Sequence, residues 1–335
     1  MIDFRYHLVS IVAIFLALAI GLVLGTTVLN GPVTEALQRS NTSLNADANN
    51  LRAQNAALQQ QIGAAGTFAQ EAAPQLVGHL LDGQRVVLIE APGASDQVLH
   101  GVTTVLRQAG ATIGGQVLLQ NKFFDSSATT LSYMDQLSQG VKPTDLTLQG
   151  GTPQQRAAQV LASALVTKTL SGFVDSGGQA ILSGFAGGGF LTASGRPAAR
   201  ATLAVVITQA DPLTGQNADA ANQTLTALAA AVSSASVATV VAGPASSAQP
   251  GGAIAALRSS SSARQVSSVD DADLAFGQIV VTQVLAAQMK SHPAGSYGMG
   301  PGANLAAPSP MPSASPTVTG SAYPSPRRTN AQGRQ

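Results

Sequence analysis

The chain has no cysteine and no tryptophan in its 335 residues. Disulfide bridges, zinc–thiolate centres and thiol nucleophiles are therefore excluded. Charged side chains make up only 10% and aromatics 4%. A net charge of +1 offers no bulk attraction for nucleic acid. Histidine is scarce: beyond His7, only His79, His100 and His292 are present. No G-x-S-x-G stretch exists, so a serine hydrolase is not indicated. The turn "APGASD" (Ala91–Asp96) has one glycine where a dinucleotide site needs three. "SGFAGGGF" (Ser183–Phe190) is glycine-rich but lacks the GK[ST] of a phosphate loop, so it reads as a flexible loop. Together these absences argue against an enzyme and leave no cofactor evident.

What the sequence does have is a long apolar run. "LVSIVAIFLALAIGLVLGTTVL" (Leu8–Leu29) is 22 residues without a charge, and Glu35 is the next charged residue. About 20 apolar residues cross the hydrocarbon layer, whereas a cleavable signal peptide has a shorter run ending at a small-residue site. Here Ala17-Leu18-Ala19 lies inside the run, so an uncleaved signal anchor is expected; a removed signal peptide is the alternative. Arg5 and the α-amino group precede the run, which keeps residues 1–7 in the cytoplasm and the bulk of the chain outside the cell membrane. Ala13, Ala17, Gly21 and Gly25 recur every fourth residue, and Gly21-x-x-x-Gly25 is a close-packing motif of membrane helices.

Residues 32–62 carry a second pattern. Leu37, Leu44, Leu51 and Leu58 stand seven apart, which is the d position of a coiled coil. The a positions include Asn41, Asn55 and Ile62. Asparagine at a costs stability but fixes register and favours two parallel strands. The segment is read as a coiled-coil stalk that pairs two chains as a parallel homodimer, with a single helix packed on the following domain as the alternative. At 1.5 Å per residue it makes an arm of about 40 Å. Asn30-Gly31-Pro32 is expected to break the helix before it, and Gly63 and Gly66 to end it.

From about residue 67 to 290 apolar runs alternate with helical patterns. "RVVLIEAP" (Arg85–Pro92) is continuous, as in a strand buried on both faces. "DQVLHGVTTVLRQAG", capped by Ser95, is a helix, and "ATIGGQVLL" (Ala111–Leu119) a second strand. "QAILSGF" (Gln179–Phe185), "TLAVVIT" and "VATVVAG" also read as strands, and "ARQVSSV" as a weak one. The alternation predicts a mainly parallel, Rossmann-like α/β domain of about five or six strands. Such short apolar strands, separated by helices, are not those of a transmembrane barrel. Residues 121–151 read as an irregular insertion, and 187–200 have no clear assignment. Residues 291–335, with eight prolines, read as a disordered tail.

Two clusters invite a chemical reading. Asp270, Asp271 and Asp273 precede the last helix and are expected to cap it. Met289, His292 and Met299 are soft or borderline ligands that could suit copper; their spacing is loose, and a packing methionine with incidental tail residues is the structural alternative.

The opening "MIDFRYHLVSIVAIFLALAIGLVLGTTVL", the leucine segment and "PQLVGHLLDGQRVVLIEAPGA" together resemble the MctB-type copper transport family of mycolate-type bacteria. The likeness is most specific in "FLALAIGLVLG" and "LVGHLLDGQRVVLI". It implies a role in copper efflux, with copper as the one metal to expect. Related proteins also imply a second reading, a membrane-anchored scaffold that works through another envelope or division protein in cell separation.

Overall fold

The computed structural model describes residues 4–170 and 173–313, apart from the side chains of 26–34. The chain divides into two units, Met1–Ala65 and Gly66–Gln335.

The first unit belongs to one helix. α1 runs from Phe4 to Val77 without interruption. The breaks expected at Asn30-Gly31-Pro32 and at Gly63 and Gly66 do not occur. Proline at a first helical position loses no hydrogen bond, but inside a helix it and glycine lower propensity without forbidding the conformation. Here the helix continues through them, and through Pro74 as well.

The second unit is a mixed α/β domain. Among the described residues seven strands form one sheet in the order β3-β2-β1-β4-β5-β6-β7. They are β1 (Arg85–Glu90), β2 (Thr112–Leu119), β3 (Leu191–Gly195), β4 (Leu203–Ile207), β5 (Ala238–Ala242), β6 (Ser267–Val269) and β7 (Ser296–Tyr297). Every neighbouring pair is parallel except β2 with β3. The central strands β4 and β5 are buried at every residue, because helices cover both sides of a parallel sheet. β3 is the antiparallel edge and leaves four of its five residues exposed.

The helices sort by face. α2 (Asp96–Gln108) and α8 (Ala275–Met289) pack with the end of α1 on one side, around Val86, Leu88, Val205 and Leu285. α4 (Pro153–Leu165), α5 (Ser176–Gly187), α6 (Ala218–Ala235) and α7 (Ala253–Ser259) share the other core, around Val87, Ile89, Leu161 and Val206. α3 (Ala128–Val141) joins this side through Met134. Local signals set the helix starts. The Ser95 hydroxyl accepts from the Val98 amide at the head of α2. Thr152 and Gln155 form a reciprocal capping box before α4.

Three expectations change. Gln179–Phe185 is not a strand but the body of α5. Its buried residues Ile181, Leu182 and Phe185 follow helical spacing, and a short apolar run alone does not separate the two states. The sheet has seven strands, the extra ones being the edges β3 and β7. Residues 291–313, expected in a disordered tail, are ordered and supply β7; the remainder of that tail lies outside the described residues.

Candidate functional site

Among the described residues one helical stretch is long and apolar enough to cross a membrane: Phe4–Gly25, 22 residues at a mean hydropathy of 2.9. Gly21 and Gly25 open onto empty space in the single chain. Further along α1 the four leucines are exposed, Leu37 and Leu44 at 65%, Leu51 at 60% and Leu58 at 54%. Ile62 joins them at 51%. A row of leucines left in water on one helix is unfavourable by roughly 1.5–3 kcal/mol per side chain relative to burial. Asn41 and Asn55 lie exposed on the same helix, and Asn41 Oδ1 accepts from Asn45 Nδ2 at 3.2 Å.

The soft ligand candidates take separate environments. Met289 closes α8 and packs against the core beside α2. His292 is exposed just past that helix. Met299 exposes 68% of its surface, while its backbone N–H donates to Asp270 Oδ1 at 2.9 Å. Among the described residues no three His, Asp or Glu side chains gather as metal ligands would.

The aspartates do something other than cap. The residue before α8 is Leu274, and among the described residues no side chain caps this helix. Asp270 follows β6 and is fully buried; Arg258 from α7 reaches it with Nη1 2.6 Å from Oδ2. The two side chains expose 0% and 6%, so the charges are removed from water and must satisfy each other. Arg258 also donates to Ser268 Oγ and to the carbonyls of Tyr297 and Pro301. Asp270 accepts from the amides of Met299 and Gly300. One ion pair thus holds β6 to a strap made of β7 and the turn after it, residues 296–301. The turn is fitted to the carboxylate: Gly298 has φ +121°, and a Cβ there would sit 2.1 Å from Asp270 Oδ1.

Beside this pair Asp271 and Asp273 are strained electrostatically. Each has one buried Oδ1 that finds no hydrogen-bond partner among the described residues. Burial, then the Asp270 charge, pushes the Asp271 carboxyl up to about 6. Asp273 is raised for the same two reasons. At the end of β1, burial also raises Glu90, partly offset by a hydrogen bond with Gln116.

Sequence reasoning missed the Arg258–Asp270 centre. The signal was a lone arginine in the otherwise apolar "GGAIAALRSS"; nothing in a linear reading pairs it with an aspartate twelve residues on.

The family profile described as "Copper transport outer membrane protein, MctB" matches residues 1–308. The chain belongs to the MctB family. The match includes both the apolar helix and the whole seven-stranded domain with its strap. Curated MctB relatives named "Copper transporter MctB" come from Mycobacterium tuberculosis and Mycobacterium leprae, each 28% identical over 90% of this chain and 98% of their own length.

Proposed function

We propose that the protein is a single-pass, membrane-anchored member of the MctB family that contributes to copper homeostasis, with copper as cargo. The observation that carries this is the family match over residues 1–308, which begins at the apolar helix and spans the domain. The names of the relatives supply the cargo. In this reading the uncharged run Leu8–Leu29 crosses the cell membrane, residues 1–7 with Arg5 stay in the cytoplasm, and the Rossmann-like α/β domain lies outside. The exposed leucines on α1 pair with those of a second copy as a parallel coiled coil, and Asn41 and Asn55 set its register. Anchoring both chains in one membrane raises their effective concentration and compensates for a weak a layer.

The test is a gene deletion grown across a copper series, complemented by the full chain and by a chain without residues 4–25. Loss of copper tolerance, restored only by the anchored chain, supports the reading. Unchanged tolerance in the deletion overturns the copper role, and full rescue by the unanchored chain overturns the anchor.

A further inference from the structure

The order of the strands reverses between β1 and β4. From β1 the chain crosses to β2 through α2 on one face, and from β4 it crosses to β5 through α6 on the other. Crossovers that diverge in this way leave a crevice at the carboxyl edge, where ligands of open α/β sheets bind. In this domain the crevice is a cavity of about 320 Å³ beside Pro92, which follows β1, and Gln209, which follows β4. That size lies at the lower end of the range for small-molecule sites, roughly 300–1,000 Å³.

Its walls specify a chemistry. Phe124 and Pro92 give flat apolar surface, and Ala221 from the first turns of α6 leaves room. Gln209 is only 7% exposed. Its Nε2 donates to Asn222 Oδ1 at 3.0 Å, and Asn222 Nδ2 donates to the Gly251 carbonyl at 2.8 Å. The Gln209 amide is therefore fixed before any ligand arrives, which lowers the entropic cost of binding. Asn217, the residue before α6, makes no side-chain capping bond, so its amide is available to a ligand.

Charge narrows the class. Among the described residues Asp125 is the one charged residue lining the cavity. The Ser127 amide, the Ser127 hydroxyl and the Thr130 hydroxyl all donate to it. Those bonds, Thr130 first, hold its carboxyl below the usual range, so it is ionised at neutral pH. The neighbouring cation, Lys122, is engaged elsewhere: Nζ donates to the Gly188 carbonyl and sits over the rings of Tyr133 and Phe190. An anionic ligand would meet the Asp125 carboxylate with no cation among the described lining residues to offset it.

We propose that the crevice between β1 and β4 binds a small ring-bearing molecule, neutral or cationic and free of phosphate, its ring against Phe124 and its polar edge on Gln209 and Asn217. The test is saturation-transfer NMR on the full chain in detergent, with single-ring fragments in matched cationic, neutral and anionic sets. Cationic and neutral fragments bind, anionic ones do not, and Ala221→Phe, which fills the space, removes the signals. Asn217→Leu weakens binding roughly tenfold, as loss of one hydrogen bond would. Asp125→Asn abolishes the advantage of cationic over neutral fragments. Binding of the anionic set at an equal rate, no binding by any set, or signals unchanged in both Ala221→Phe and Asn217→Leu would overturn the assignment.

Discussion

Replacing Arg258 by alanine is expected to be among the most damaging single changes in the α/β domain. The side chain closes an ion pair whose carboxylate partner exposes nothing to water. Without it the Asp270 carboxyl is left buried, with the amides of Met299 and Gly300 as its only partners among the described residues. Breaking a buried pair in this way costs about 3–5 kcal/mol. Three further bonds go with the guanidinium, to Ser268, Tyr297 and Pro301, so the upper part of that range is expected. A domain of this size loses roughly 2–4 °C of melting temperature per kcal/mol, which puts the drop near ~10 °C or more. Because the lost bonds converge on β7 and the turn after it, the effect is local first. Residues 296–301 should lose hydrogen-exchange protection and become sensitive to protease before the rest of the sheet. Thermal melting and hydrogen exchange of the full chain in detergent measure both quantities. Arg258→Lys, which keeps the charge but not the fork of donors, should recover part of the loss. A melting temperature within about 2 °C of the parent, or unchanged protection at 296–301, would refute the claim that this pair holds the strap.

Other outcomes follow from the same structure. Asp271 titrates near 6 in the folded chain against 3.8 for an ordinary aspartate, so the native state binds more protons between those values. The contribution of this group is therefore full below about pH 4 and is lost as pH rises through 6, by at most about 3 kcal/mol; Asp271→Asn should remove that component from a pH series of melting temperatures. Glu90→Gln keeps a partner for Gln116 while removing a buried charge, and should raise the melting temperature at pH 7.5 rather than lower it. Leu161→Ala, in the core under α4, should cost about 2–5 kcal/mol in denaturant titrations. Since the chain has no native cysteine, Leu44→Cys is the sole thiol in that variant. It should form a disulfide-linked dimer in membranes, whereas the same substitution at Ser43, on the outer face of the helix, should not; no dimer from Leu44→Cys removes the pairing proposal.

Much of the architecture was legible because it is set by local apolar pattern. The uncharged run at the front appears as the apolar part of α1, and "RVVLIE" and "LAVVI" became central strands because runs without polar breaks suit burial on both faces. Where two states share a pattern, legibility failed. "QAILSGF" is apolar enough for a strand, and the four glycines from Gly177 to Gly187 lower helix propensity. The helix forms because Asp175 caps it and because Ile181, Leu182 and Phe185 find the core on one side. Packing outweighs a propensity deficit of about 1 kcal/mol per glycine.

The strap shows a different kind of failure. Proline, serine and glycine after residue 291 signal disorder because such a segment cannot bury enough apolar surface to offset its own ordering. That reasoning holds for the segment in isolation. Here the ordering comes from partners placed elsewhere in the chain: Arg258 and Asp270 turn toward residues 297–301 and satisfy their backbone groups. Gly298 and Gly300 are the residues that let the backbone approach the Asp270 carboxylate, since a Cβ at either would meet it. The run of three aspartates was legible as a feature but not as a function, because capping and ion pairing ask for the same side chain. The difference lay in a lone arginine on a neighbouring helix. A charge pair buried between distant segments is a long-range interaction, and windowed composition carries no trace of it until the sheet order brings β6 beside β7.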